Sequence, residues 1–244
     1  MLEPTGFRVL LEDGPLLAIA KPAGLLTQAP PGIDSLEWRV KRWLIARENK
    51  PGNAYLGVPH RLDRPVSGVI LFAKHVRAAR RLSEQFEGRL IRKTYWALVE
   101  GDVAETTPGE RQTWRDYLKK LEAEPRSLVC EPHEPDAKLA ILHTQVRGRG
   151  QMGDPASPAT WLEIELETGR NHQIRVQAAH RGHVLWGDEL YGAKQTFGPP
   201  SPDPRERLIA LHARSIEFDH PMTKERLTIE APVTEYWPDW IAKT

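Results

Sequence analysis

Residues 60–74 read HRLDRPVSGVILFAK. The stretch opens with His60, Arg61, Asp63 and Arg64, so one carboxylate stands between two guanidinium groups. Pro65, Ser67 and Gly68 then turn the chain. The apolar run VILFAK (69–74) follows, and its shortness and its flanking turn residues predict a strand buried on both faces. Asp63 is thereby predicted on a loop that a rigid element positions, which is where folds present reactive side chains.

Working outward, FRVLLEDGPLLAIAKPAG (7–24) predicts strand, turn, strand, with Asp13-Gly14 as the turn signal. SLEWRVKRWLIAREN (35–49) places Leu36, Val40, Trp43 and Leu44 at helical spacing behind a Ser35 N-cap, and PGN (51–53) ends the helix. VRAARRLSEQFEGR (76–89) predicts an amphipathic helix with Ala79, Leu82 and Phe86 inward and Gly88 as its C-cap. IRKTYWALVEG (91–101) predicts a strand with Lys93, Tyr95, Ala97 and Val99 on one face. Residues 101–158 are the least legible, and RGRGQMGDPASP (147–158) reads as a loop. WLEIELETG (161–169) alternates, with Leu162, Ile164 and Leu166 inward, and NHQIRVQAAHRG (171–182) favours a helix closed by Gly182. Residues 196–206 form a Pro-rich loop, and RLIALHARSIEF (207–218) and RLTIEAP (226–232) predict two more strands. These counts predict a mixed α/β (α+β) fold with a central, mostly antiparallel sheet flanked by helices.

The 244 residues carry 34 Lys+Arg against 33 Asp+Glu, a net charge of +1, so any polyanion site must come from local clustering of basic side chains. The single cysteine excludes an intrachain disulfide framework and any multi-cysteine zinc site, and fits a reducing cytosol. The N-terminal stretch carries Glu3, Glu12 and Asp13 and no long apolar run, unlike a signal or transit peptide. No segment approaches the roughly 20 apolar residues of a membrane span. A cytoplasmic protein without membrane contact is the expectation.

Neighbouring cations favour the ionised form of Asp63, which suits a nucleophile, a general base or an electrostatic stabiliser. A surface ion pair at a turn explains the same residues equally well when they are taken alone. Arg170, His172, Gln173 and Arg175 cluster at a predicted helix start, a good anion site, although a solvated helix face is the commoner outcome of such a run. Lys93 and Tyr95 share a strand face near Arg77, Arg80 and Arg81, and a tyrosine can stack on a nucleobase or simply fill a core. His180 and His183 have a metal-compatible spacing, but without a nearby cysteine or acidic triad no metal is expected. HRLD is not the kinase catalytic loop, and GDELYG lacks the Gly-Lys-Ser/Thr ending of a phosphate loop.

Taken in order, KPAGLL (21–26), HRLDRPVSGVILFAK (60–74), KTYWALVEG (93–101), TGRNHQIRVQAAHRGHVLWGDELYG (168–192) and LHARSIEFDHPMT (211–223) resemble the RluA-type family of RNA pseudouridine synthases, from about Phe7 to Trp237. The resemblance implies a single catalytic domain over 1–244, with a cleft whose floor carries Asp63. The small N-terminal RNA-binding domain of many relatives is expected to be absent. It implies isomerisation of uridine in ribosomal or transfer RNA to pseudouridine, with no cofactor or metal, by a monomer whose partner is RNA. Asp63 is then the catalytic aspartate, Tyr95 the active-site tyrosine and Arg175 the basic residue paired with the carboxylate. Arg61 is a candidate to fill the space of the flipped base, and Leu211 helps wall the site. Arg64, Lys93, Arg170, His172 and Gln173 join the substrate-binding set. Val66, Asn171, Gln177 and Ala20 depart from the residues frequent in the family. A nucleoside or glycoside hydrolase using Asp63, or a non-catalytic RNA-binding protein, are the alternatives. The first lacks an evident second carboxylate.

Overall fold

The computed structural model describes residues 6–49, 52–104, 109–153 and 155–242. Along the chain run β1 (Arg8–Asp13), β2 (Leu16–Lys21), α1 (Leu36–Glu48), β3 (Ser67–Ala73), α2 (Val76–Glu87), β4 (Arg92–Glu100), β5 (Gln112–Lys120), β6 (Ser127–Cys130), β7 (Lys138–Met152), β8 (Ser157–Leu166), α3 (Gln173–His180), β9 (Leu211–Asp219), β10 (Arg226–Glu230) and α4 (Asp239–Ala242). A one-turn 3-10 helix occupies Glu189–Tyr191. The strand-rich composition with few helices is that of an α+β fold, as the sequence predicts. The chain forms two compact units, Met1–Lys93 with Ala213–Val233, and Thr94–His212 with Thr234–Thr244.

In the first unit, β1 and β2 make the predicted hairpin, with Asp13 opposite Leu16 around the Gly14-Pro15 turn. β2 pairs antiparallel with β3 from Leu16↔Ala73 to Lys21↔Gly68. All seven residues of β3 are buried, as the continuous apolar run requires, and each large apolar side chain contributes about 1.5–3 kcal/mol. β9 neighbours β3 and pairs antiparallel with β10. In α1, the Ser35 side chain accepts a hydrogen bond from the Trp38 N–H, and Leu36, Val40 and Leu44 are buried. The helix ends on a left-handed Asn49; Pro51, expected to end it, lies outside the described residues.

Two expectations for α2 need correction. Its buried residues are Ala78 and Leu82, while Ala79 and Phe86 are half-buried. Ala78 and Ala79 both lie one turn before Leu82, so the pattern alone does not choose between them. Gly88 does cap the helix, but in a right-handed conformation (φ −74°). The left-handed residue is Arg89, with φ 56°.

In the second unit, the strands run in the order β4-β8-β7-β5-β6, all pairs antiparallel. Leu118, Ala140 and Val176 form a core where α3 packs on the sheet, joined by Val129 and Tyr191. The predicted loop at 147–158 is mostly strand. β7 runs to Met152 and pairs with β8 as far as Met152↔Ser157; Asp154 lies outside the described residues. Glycine here marks close packing rather than a turn. A Cβ on Gly150 would stand 2.7 Å from the Trp240 indole.

Gly68 is a second position that only glycine fits. Its φ is +121°, and a Cβ would lie 2.3 Å from the Ala213 carbonyl oxygen. Gly68→Ala is therefore expected to cost about 2–4 kcal/mol from backbone strain and overpacking. The check is a fall in the urea midpoint at unchanged m-value.

Candidate active site

The loop that carries Asp63 is held by groups that sequence reasoning left without a role. Thr27, buried between β2 and α1 in sequence, grips Leu62 twice. Its hydroxyl donates to the Leu62 carbonyl at 2.8 Å and accepts from the Leu62 N–H at 3.1 Å. On the other side of Asp63, the Lys21 ammonium donates to the carbonyls of Arg64 (3.2 Å), Val66 (2.7 Å) and Pro22 (2.8 Å). The Gly24 N–H also donates to the Arg64 carbonyl, and the Val66 N–H closes a turn on the Asp63 carbonyl. The peptide units flanking Asp63 are therefore fixed, while its side chain is half-exposed.

Lys21 is 1% exposed. Burial pushes its ammonium down to about 7, and the Asp63 carboxylate works against that shift. Three carbonyl acceptors match the three donors of an ammonium group. His60 is structural rather than reactive. Its Nε2 accepts the Leu71 N–H at 2.9 Å, and its ring stacks on Phe86 at 4.5 Å. An accepting Nε2 requires a neutral ring, and burial together with the Lys93 ammonium pushes the imidazole down to about 3. Burial also lowers Lys93. Arg61 is exposed, whereas Arg64 is half-buried and its Nε has no hydrogen-bond partner among the described residues.

The remaining candidates belong to the second unit. Tyr95 stands opposite Ile164 in the β4–β8 ladder and is 9% exposed. Leu211, at the start of β9, is buried. Arg175 makes a bidentate pair with Asp188, Nε to Oδ2 at 2.6 Å and Nη2 to Oδ1 at 2.7 Å, both side chains being nearly inaccessible. The guanidinium also lies 5.2 Å over the Tyr191 ring. Sequence reasoning missed Asp188: it weighed GDELYG as a phosphate loop and counted it in the family resemblance, but gave the acid no role. An acid in that motif could have been considered as a partner for a buried arginine.

The other members of the predicted anion cluster serve the local fold. Gln173 is buried, accepts from the Thr168 hydroxyl and the Arg170 N–H, and donates to the Ile141 carbonyl. Arg170 Nε donates to the Leu139 carbonyl. His172, left-handed at the α3 N-terminus, shares a hydrogen bond with the Tyr191 hydroxyl. These contacts fasten the chain before α3 to β7 and to the 3-10 helix, and so set where Arg175 points. His180 and His183 belong to no group of three or more metal-ligating side chains among the described residues.

Two outcomes test this construction. The folded-state pKa of Lys21 lies below its unfolded value, so the unfolded chain binds more protons between about pH 7 and 10.5. The penalty for burying the ammonium is complete below that window and fades as pH rises through it. Lys21→Met is expected to remove that upward slope from urea-denaturation stabilities measured between pH 6.5 and 9.5. Asp188→Ala removes the bidentate carboxylate partner of a buried guanidinium, and is expected to lower stability by about 3–5 kcal/mol, read from the same denaturation curves at pH 7.5.

Residues 15–180 match the family model described as RNA pseudouridylate synthase. The ribosomal large subunit pseudouridine synthase C of Yersinia pestis is 33% identical over 92% of this chain and 65% of its own length. The RNA pseudouridine synthase YhcT of Bacillus subtilis is 34% identical over 92% of this chain and 68% of its own. The chain thus spans about two-thirds of the length of these relatives. Human RNA pseudouridylate synthase domain containing 1 superposes with a TM-score of 0.70 at 22% identity, covering 96% of this chain and 86% of that one, and so shares the fold. The chain belongs to the RNA pseudouridylate synthase family.

Proposed function

We propose that this chain isomerises uridine in RNA to pseudouridine, with Asp63 as the catalytic carboxylate. One observation carries the residue assignment: Asp63 sits on a loop whose backbone is gripped by Thr27 on one side and Lys21 on the other, while its side chain keeps access to solvent. That is the preorganisation a reacting group needs.

In the reaction the N1–C1′ glycosidic bond breaks, the uracil turns while still held, and C5 bonds to C1′. The proton lost from C5 is balanced by one gained at N1, so nothing is oxidised or reduced. Asp63 supplies the electron pair, by attack at C1′ or by removal of a sugar proton. A hydrolase needs a second carboxylate to release its leaving group to water. A retained uracil does not. Tyr95 packs on the flipped base and assists proton removal from C5. Arg175, oriented by Asp188, is the basic partner of the catalytic carboxylate. The exposed Arg61 takes the space vacated in the RNA stack; extrusion of the base costs roughly a few kcal/mol. Arg64 and Lys93 add positive charge, Leu211 walls the base pocket, and Arg170, His172 and Gln173 shape the support around Arg175. The reading extends to a cytoplasmic protein acting as a monomer, with ribosomal RNA as the first substrate to try.

The test is incubation with uridine-labelled ribosomal and transfer RNA. Pseudouridine is expected, and free uracil, or binding without product, would reject the proposal. Asp63→Asn is expected to reduce turnover by about 10²–10⁴-fold with RNA affinity largely kept; substantial residual activity would remove Asp63 from the chemistry. Affinity should fall steeply with salt, and a flat response would contradict binding through phosphates.

A further inference from the structure

The β2–β3 pair that brings Lys21 to the Asp63 loop has a second end. Lys21 pairs with Gly68 at one end and Leu16 with Ala73 at the other, a separation of five residues or roughly 17 Å. Beyond Ala73 the first unit opens a cleft of about 510 Å³, walled by Glu48, Asn53, Tyr55, Lys74, His75 and Met222 among others. Tyr55 is 46% exposed. It gives the cleft a large aromatic surface in contact with water.

One acid, Glu48, lines the cleft and meets Arg47; the rest of the charge beside it is mostly basic. Lys74, His75, Arg77, Arg80 and Arg81 follow one another without an intervening acid. Some of that charge is matched: Lys74 and Arg47 share Glu12, Arg47 also meets Glu48, and Arg80 pairs with Glu84. Arg77 has no ion pair among the described residues, and Arg81 donates only to the neutral Pro221 carbonyl and Met222 sulfur, next to the cleft wall. The positive surplus therefore rests on Arg77 and Arg81. The acids of α2, Glu84 and Glu87, lie in its C-terminal half, and no acid occupies its first turn. This order opposes the helix dipole, which favours acids early and bases late. Stability of the helix does not account for it, whereas attraction of a polyanion does.

We propose that this cleft is a second RNA subsite, which takes a single-stranded nucleotide of the substrate away from the target uridine. Its base stacks on Tyr55, the Asn53 amide reaches the base edge, and Arg77 and Arg81 hold the flanking phosphates. Cations beside an exposed aromatic ring are the combination that binds unpaired nucleic acid. The proposal rests on the RNA-modifying reading above, and adds a contact that selects RNA by what lies beyond the reacting nucleotide.

The experiment measures binding of a fluorescein-labelled, unpaired 20-nucleotide RNA by anisotropy across a KCl series, with pseudouridine formation followed in the same preparations. Tyr55→Ala is expected to weaken binding about tenfold. Arg77→Ala is expected to reduce the salt slope by about one. Both should raise KM and leave kcat unchanged. Tyr236→Ala removes another exposed aromatic (38%), outside the cleft and beside the acid Glu235, and should change neither quantity. Wild-type affinity and slope in the Tyr55 and Arg77 variants would overturn the subsite, as would equal losses in all three. Tighter Tyr55-dependent binding of a polyglutamate peptide than of the RNA would reassign the cleft to a protein partner and also overturn it. If the wild type makes no pseudouridine while the Tyr55 and Arg77 variants still weaken RNA binding, the subsite stands and the proposed activity falls.

Discussion

A buried ammonium group fixes the loop that carries Asp63. Lys21 closes β2, and its three carbonyl bonds tie that strand end to residues 22, 64 and 66. Without those bonds, the carbonyls following Asp63 would have to find other donors in a buried place, at about 1–3 kcal/mol each. Thr27 does the same work one residue before the carboxylate. The Asp63 side chain inherits a fixed starting direction from peptide units that cannot rotate. A charge inside the protein thus sets the geometry of a charge at its surface, and Asp63 in turn moderates the cost of burying Lys21.

The second unit solves a similar problem with a different device. Arg175 is aimed by a bidentate carboxylate, with Tyr191 beneath the guanidinium and hydrogen-bonded to His172. Buried ion pairs add little net stability relative to apolar residues of the same size, because both partners lose water. What this pair supplies is direction, since the planar fork of arginine meets a carboxylate in few orientations.

Much of this was legible in the sequence. The Asp13-Gly14 turn, the Ser35 cap and the buried β3 follow from local rules and formed as read, whereas in β8 Leu162 and Ile164 are buried as the alternation predicts but Leu166 is half-buried and Trp161 is buried as well. What stayed hidden was long-range. Lys21 and Thr27 act on residues some 40 positions away, and no local pattern announces that. Asp188 has no neighbour in sequence that marks it as the partner of Arg175. Gly150 looked like a turn residue because the Trp240 indole that needs its missing side chain comes 90 residues later. The departures at Val66 and Gln177 are explained by interior packing that no local pattern shows. Val66 is buried, and the Gln177 amide donates to Asp116, which Arg181 also binds. Both positions maintain the interior.

The first unit is built from two stretches of chain, Met1–Lys93 and Ala213–Val233. During synthesis, β3 emerges long before β9, its neighbour in that unit. At about 5–20 residues per second, the intervening segment takes roughly 7–27 s to make. Through that interval one edge of a seven-residue strand destined for full burial has no strand beside it. Such an edge is a template for pairing with another chain. The order of segments along this polypeptide therefore imposes a waiting period on the ribosome, in which the loop bearing Asp63 is already made but the sheet beneath it is still incomplete.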